Sequence, residues 1–163
     1  MSYTNNKFFD ESLDKKYDSF GKDVVSDLFY QLKQYNVMIH TDEYDKAKCG
    51  DLFVIKPCGN GFVVEVEVKN HWAKGREPFS YKTIRFPQRK QKKHFESVKY
   101  FCMVSSDGLG VLIVTKKSIQ EALPYWMKVS NYKHKEQWVD VPVKNARFYF
   151  KDENMLWKKF NHE

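Results

Sequence analysis

The apolar residues of the first third of the chain predict a long helix followed by short strands. Between Lys15 and Tyr35 they recur at steps of three and four, which is the spacing of an amphipathic helix. Gly21 weakens this pattern, so the helix begins either near Lys15 or at Gly21. Apolar runs bounded by turn residues then predict strands at 37–40, 51–55 and 62–69, with a hairpin loop at 57–61.

The rest of the chain continues with shorter elements. Pro87 suits the first position of a helix, which we predict to run from Gln88 to about Val98. Further runs predict strands at 100–104, 110–114, 138–141 and 147–150, a short helix at 118–123 and a polar C-terminal tail. The order predicts an α/β fold with a mixed central sheet flanked by helices. Residues 1–12 read as an N-terminal arm and 13–163 as a single domain.

The formal charge of +7 is concentrated in one segment. Between Lys82 and Lys99 there are seven cations and a single acid, Glu96. A basic surface of this kind favours an anionic partner such as DNA, although a solvated charged face gives the same pattern. The candidate nucleic-acid contacts are Arg85, Arg89, Lys90, Gln91, Lys92 and Lys93.

Two features bear on location. The three cysteines have no metal-ligand or redox spacing, which favours a reducing compartment. The chain also begins without the apolar core of a signal peptide and has no run of about 18 apolar residues. We therefore expect a cytoplasmic protein, in the host cytoplasm if it is phage-encoded, without a membrane partner.

The strand at 62–69 carries the candidate chemistry. Alternation places Glu65, Glu67 and Lys69 on one face, as would also happen in an ordinary strand with a charged outer face. A hairpin loop centred on Gly59 would set Asp51 directly opposite Glu67. Two carboxylates about 5 Å apart repel each other unless a cation lies between them. Mg²⁺, with Mn²⁺ as a substitute, prefers such oxygen ligands.

Lys69 would complete this candidate site. It lies two residues beyond Glu67 on the same face, about 7 Å along the strand. An ammonium at that distance can hold an attacking water or offset the charge that develops on a phosphate. Asp51, Glu67 and Lys69 therefore form a candidate catalytic set, with Asp51 and Glu67 as candidate metal ligands.

Asp51, followed by a turn and by Glu67-Val68-Lys69 at the end of an apolar strand, resembles the PD-(D/E)xK signature of restriction-endonuclease-like nucleases. The similarity in element order covers about residues 15–115, and small resolvase-like or phage-type members are the nearest in kind. The resemblance implies a core of helix, three strands, helix and strand. It also implies an accessory acid from the first helix, either Asp23 or Asp27, and Glu65 is a further candidate. Gly50 stands where the family commonly has proline.

Three functional hypotheses follow from these patterns. The first is a magnesium-dependent endonuclease that hydrolyses DNA phosphodiester bonds, on either branched DNA or a defined duplex sequence. Cutting two strands with one site per chain favours a homodimer. The second is a non-catalytic nucleic-acid-binding module on the same scaffold, and the third is an RNA-directed nuclease.

Overall fold

The structure, a computed structural model, describes residues 11–39, 50–91, 97–128 and 135–161. Most of the predicted N-terminal arm lies outside these ranges. Within these ranges the helices are α1 (Glu11–Lys33) and α2 (Lys116–Glu121), and 3₁₀ turns lie at Gln88–Gln91 and Val143–Asn145. The strands are β1 (Asn36–Ile39), β2 (Leu52–Ile55), β3 (Gly61–Lys69), β4 (Thr83–Pro87), β5 (Val98–Ser105), β6 (Gly110–Thr115), β7 (Tyr125–Lys128), β8 (Lys135–Pro142), β9 (Arg147–Lys151) and β10 (Trp157–Lys159).

The fold is mixed α/β and is dominated by a seven-stranded sheet in the order β1-β2-β3-β5-β6-β9-β10. Strands β3 and β5 run parallel, and the other neighbouring pairs in this sheet are antiparallel. A second sheet has the order β4-β8-β7. The predicted mixed central sheet is therefore confirmed. The prediction that helices flank it holds on one face, whereas the other face is covered by the second sheet and the short α2.

Helix α1 packs against β3 so closely that its glycine is required. A Cβ at Gly21 would press on the side chains of Val66 and Val68, so the residue that weakens the helical pattern is the one that admits the strand. Val25 and Leu28 on the same helix are fully buried in the first core cluster, where they meet alternate residues of β2, β3, β5 and β6.

The second core cluster lies on the opposite face of the large sheet. Phe101 and Met103 of β5 alternate with the residues that face α1, and they pack against Phe86 of β4 and Ile119 of α2. β5 is thus buried on both faces, as expected for a strand in a parallel pair. The two layers leave β3 in the middle of the molecule, with one end at Gly61 and the other at Lys69.

Two predicted elements are wrong. The expected helix at 88–98 is a 3₁₀ turn over Gln88–Gln91, preceded by β4, whose last residue is Pro87; Val98 already belongs to β5, and 92–96 lie outside the described residues. The predicted polar tail contains β10. Trp157 there is buried, and its indole N–H donates to Asp27 of α1 at 2.9 Å. A single buried tryptophan therefore anchors a stretch whose average composition is polar.

Candidate active site

The β2–β3 hairpin has a different register from the one predicted. Ile55 pairs with Gly61, Val54 with Phe62 and Leu52 with Val64, a shift of two residues. The loop closes earlier because Gly61 occupies a strand position, where a side chain would collide with the ring of Phe53. Continued by one residue, this register sets Asp51 level with Glu65 rather than with Glu67. A two-residue shift leaves every side chain on its predicted face but moves the partners along the strand.

Asp51 lies beside the edge of β3, just before β2 begins. Its backbone N–H donates to the Val64 carbonyl at 2.9 Å, and its Oδ2 accepts the Val66 amide at 2.6 Å. Its Oδ1 is 3.8 Å from Nζ of Lys22, which reaches it from α1. Both charged side chains are almost completely buried, at 4% exposure for Lys22 and 9% for Asp51. The carboxylate is thus part of the packing between α1 and β3.

The residue before Asp51 shows why proline is absent. Gly50 has a φ of +151°, which proline cannot adopt because its ring holds φ near −65°. A Cβ there would also overlap the side chain of Val63. The departure from the PD motif therefore follows from the path of the chain into β2.

The three charged residues of β3 lie on the face away from α1, as alternation predicts. Lys69 Nζ is 3.0 Å from Oε1 of Glu67; the Lys69 side chain is 13% exposed and that of Glu67 is 46% exposed. Glu65 is more enclosed and pairs through Oε1 with Lys90. Its other oxygen, Oε2, is buried without a hydrogen-bond partner among the described residues. This face thus presents the accessible carboxylate of Glu67, the paired ammonium of Lys69 and the buried Oε2 of Glu65.

A cleft of about 400 Å³ opens beside Lys69. It is walled by cations and rings, among them His71, Tyr81, Arg85 and Trp138, and no acid is among its described lining residues. The rings of His71 and Tyr81 meet edge to face with centroids 5.3 Å apart, and both residues are exposed. The indole Nε1 of Trp138 is buried and has no partner within the described part of the chain. A donor-rich, ring-lined cleft of this kind suits an anionic ligand with planar groups.

Arg85 is held at the cleft by a second charged group. Its Nε is 3.3 Å from Asp140 across the β4–β8 pair, and the hydroxyl of Tyr125 donates to the same carboxylate oxygen at 2.8 Å. Partial burial lowers the Arg85 pKa, but the hydrogen bond to Asp140 and nearby charges outweigh it, so the pKa is raised. Burial and Asp140 also raise the pKa of Tyr125. The guanidinium is therefore always charged and oriented.

The residues of the basic segment differ in where they point, and the structure describes the side chains of only some of them. Lys90 pairs with Glu65, and its carbonyl accepts from the ammonium of Lys116. Gln91 donates to the carbonyls of Ile119 and Ala122 at 2.7 and 2.8 Å and so caps the end of α2. The side chain of Arg89, and all of Lys92 and Lys93, lie outside the described residues. Arg85 is the predicted contact that borders the cleft.

The candidate accessory acids on α1 do not join the β3 face. Asp27 accepts from the Trp157 indole and is 3.2 Å from Lys151 Nζ, so it ties α1 to β9 and β10. Asp23 is exposed on α1. Sequence reasoning had not singled out Lys22, which is in helical phase with the buried Val25 and Phe29. A cation on an apolar stripe was the available signal that an acid lay nearby.

The two candidate metal ligands, Asp51 and Glu67, do not converge in the described structure. Asp51 is turned to Lys22 and the Val66 amide, whereas Glu67 is paired with Lys69 on the face away from α1. Among the described residues no group of three or more His, Cys, Asp or Glu side chains is placed to hold a metal ion. A metal would need carboxylate oxygens that converge.

Comparison with known proteins adds no relative. No family model, curated protein or solved structure matches the chain. Within the described ranges, no helix has both the length and the apolar character that crossing a bilayer requires. The functional interpretation therefore depends on the fold and on the residues around Lys69.

Proposed function

We propose that this chain is an endonuclease of the restriction-endonuclease-like kind that hydrolyses DNA phosphodiester bonds at the Lys69 end of β3. The succession of α1, the antiparallel strands β1, β2 and β3, and then β5 parallel to β3 supports this, because it is the order that the resemblance implies apart from the inserted β4 and the absent second helix. The 3₁₀ turn at Gln88–Gln91 stands at the place of that helix.

The observation that carries the proposal is the junction of the Glu67–Lys69 pair with the adjoining cleft. Lys69 is both a member of this ion pair and a wall of the cleft, so an anion bound there meets a preset ammonium. Tyr81 and His71 are exposed aromatic residues at the cleft, against which bases can stack. Arg85, fixed by Asp140, provides a second cation for a neighbouring phosphate.

The roles of the charged residues follow from their contacts. Lys69 stabilises negative charge as it develops on the phosphate, and Glu67 positions that ammonium through their 3.0 Å contact. Glu65 is held by Lys90 beneath this pair, and its Oε2 accepts no hydrogen bond from the described residues. Dependence on Mg²⁺ or Mn²⁺ belongs to the proposal as an expectation from the resemblance, and it would require Asp51 and Glu67 to adopt other partners.

A non-catalytic nucleic-acid-binding module is the second candidate, and one observation favours it. Asp51 and Glu67 each lie beside a lysine, Lys22 and Lys69 respectively, and they are not brought together. Acids that are neutralised in this way leave the cleft cationic, which is what binding alone needs. The two candidates therefore differ in whether bound DNA is cut.

The deciding experiment incubates the purified chain with supercoiled plasmid, linear duplex, single-stranded DNA, a four-way junction and a matched RNA. Each is tested with Mg²⁺, Mn²⁺ or EDTA. Cleavage of DNA that needs a divalent ion and is lost in Lys69→Ala supports the endonuclease. The control Lys117→Ala removes an equally charged but exposed side chain on α2. Binding to DNA without cleavage in any buffer would establish the module instead, and preferential RNA cleavage would change the substrate.

A homodimer belongs to the same proposal. Light scattering on the chain alone and with a duplex measures the mass of each species. A monomer that nicks one strand at a time would contradict the paired-site expectation without affecting the assignment of Lys69.

A further inference from the structure

A second cavity lies at the opposite end of β3, where the strand begins. It has a volume of about 240 Å³ and is enclosed by the end of α1, the β2–β3 hairpin and residues of β5, β6 and β9. Phe62 is next to the first residue of β3, whereas Lys69 is the last. At about 3.3 Å per residue the two positions are about 23 Å apart along the strand. This cavity is therefore separate from the Lys69 cleft.

Aromatic rings form much of its wall. The ring of Phe62 meets Tyr100 at 5.2 Å, Phe29 at 5.7 Å and Tyr35 at 6.3 Å between centroids, all edge to face. Phe62 and Phe29 are buried, and the two tyrosines are half-buried. Edge-to-face packing stabilises the cluster, and all four rings line the cavity. A planar apolar group is therefore the natural occupant of the inner part.

Cations surround these rings. Lys99 Nζ is 5.2 Å from the Phe62 centroid and 5.4 Å from that of Tyr100, and Lys56 Nζ is 5.9 Å from Phe62. Lys33 and Arg147, both exposed, are the other two cations among the lining residues. No acid occurs among the described lining residues, and none of these four cations is in an ion pair between described residues that the structure places within 4 Å.

We propose that this cavity binds a nucleotide, with the base among Phe62, Tyr100 and their neighbouring rings and the phosphate at Lys99 and Arg147. A ligand with a single carboxylate would not need four cations, whereas the higher charge of a phosphate can interact with several of them. The rings supply the stacking surface that any base can use. The cavity of about 240 Å³ is smaller than the pockets of about 300 Å³ or more that enclose whole ligands, so we place the base inside it and the phosphate outside, at the basic rim.

Tyr149 adds a polar group to the wall. Burial is the main cause that raises the pKa of its phenol, and Arg147 acts against it. The hydroxyl therefore stays protonated at neutral pH and can donate to a base or sugar oxygen. The nucleotide can be either free or the end of a strand, since both present the same base and phosphate. This inference does not depend on DNA cleavage at Lys69.

The test is isothermal titration of the whole chain in EDTA, so that cleavage plays no part. The probes are 5′-dAMP, deoxyadenosine, orthophosphate, and a single-stranded oligonucleotide with or without a 5′-phosphate. We expect 5′-dAMP to bind at least about tenfold more tightly than deoxyadenosine or orthophosphate, because only it engages both rings and cations. If the oligonucleotide with a 5′-phosphate binds more tightly than the one without it, the ligand is the end of a strand. If the two oligonucleotides bind equally, the ligand is a free nucleotide.

Variants locate the site. Lys99→Ala should weaken 5′-dAMP binding about tenfold, Lys99→Arg should retain most of the affinity, and Tyr100→Leu should weaken it about fivefold. The control Lys117→Ala, which removes a charge that is 81% exposed on α2, should leave affinity unchanged. Thermal melts establish that each variant is folded. The proposal is overturned if 5′-dAMP binds no better than orthophosphate, or if Lys99→Ala and Lys117→Ala behave alike.

Discussion

The two ends of β3 differ in how their charges are arranged. At the Lys69 end cations are held by acids, in the pairs Glu67–Lys69, Glu65–Lys90 and Arg85–Asp140. At the Phe62 end lysines lie over aromatic rings, and no acid is among the described lining residues. Paired charges have fixed positions, which catalysis requires, whereas cations without a neighbouring acid can meet an incoming anion. The same strand thus has charges in fixed pairs at its Lys69 end and cations that can bind an anion at its Phe62 end.

The largest expected effect concerns Lys69. If its ammonium stabilises charge on the phosphate, Lys69→Ala should reduce turnover about 10²–10³-fold, equivalent to about 3–4 kcal/mol. Lys69→Arg should not rescue it, because a planar guanidinium does not replace a compact ammonium held at 3.0 Å by Glu67. The measurement is single-turnover cleavage at saturating DNA.

The same substitution separates catalysis from stability. If Lys69 is only part of a charged outer face, Lys69→Ala should lower the unfolding free energy by at most about 1 kcal/mol, since Glu67 is nearly half exposed. Turnover should then be unchanged. Lys117→Ala is the matched control, because it removes a lysine from an exposed pair on α2. Wild-type turnover in Lys69→Ala would mean that the Lys69 end, like the Phe62 end, binds a ligand without catalysing a reaction.

Asp51 should have the next largest effect, on stability. Asp51→Ala leaves the buried Lys22 without this carboxylate and the Val66 amide without its acceptor, so we expect a loss of about 3 kcal/mol in unfolding free energy. Asp51→Asn should cost less, because its amide oxygen still accepts from Val66. Glu67→Ala, at an exposed pair, should cost less than about 1 kcal/mol. Urea denaturation measures all three.

The opposite result would be equally informative. If Asp51 and Glu67 crowd each other as the hairpin pattern predicts, removing either should stabilise the protein by relieving repulsion. A rise in urea midpoint for Asp51→Ala would therefore contradict the ion pair with Lys22. It would also restore the two-carboxylate site that the sequence predicts.

These contrasts show what the sequence could and could not predict. Alternation assigned Glu65, Glu67 and Lys69 to one face correctly, because a face survives any even shift of register. The predicted partner of Asp51 was wrong, because it depends on where the hairpin closes. In the structure Gly61 already pairs in the strand, at a position where a side chain would collide with the ring of Phe53. The position of Lys22 on the apolar stripe indicated a nearby acid, but Asp51 could not be identified as that acid without knowing how α1 lies on β3.

Glu65 and Lys90 should show a smaller effect. Both side chains are less than a fifth exposed, so Lys90→Met, which leaves Glu65 enclosed without its partner, should cost about 1–3 kcal/mol. The double variant Lys90→Met with Glu65→Met should recover part of that loss. Urea midpoints of the two single variants and the double variant give the coupling free energy directly. A coupling near zero would mean that the pair does not support the Lys69 end.

The smallest effect is the salt dependence of DNA binding, and it tests which cations of the basic segment face the ligand. For each duplex phosphate that a variant no longer neutralises, the slope of log K against log salt should fall by about 0.9. Arg89, Lys92 and Lys93 remain candidate contacts, whereas Lys90 is turned to Glu65. The triple variant Arg89→Ala, Lys92→Ala and Lys93→Ala should therefore flatten the slope, and adding Lys90→Ala should change it no further. Lys144→Ala, at an exposed position before β9, is the charge control. A further drop of about 0.9 with Lys90→Ala would show that Lys90 leaves Glu65 when DNA binds, so the charges at the Lys69 end would not be fixed.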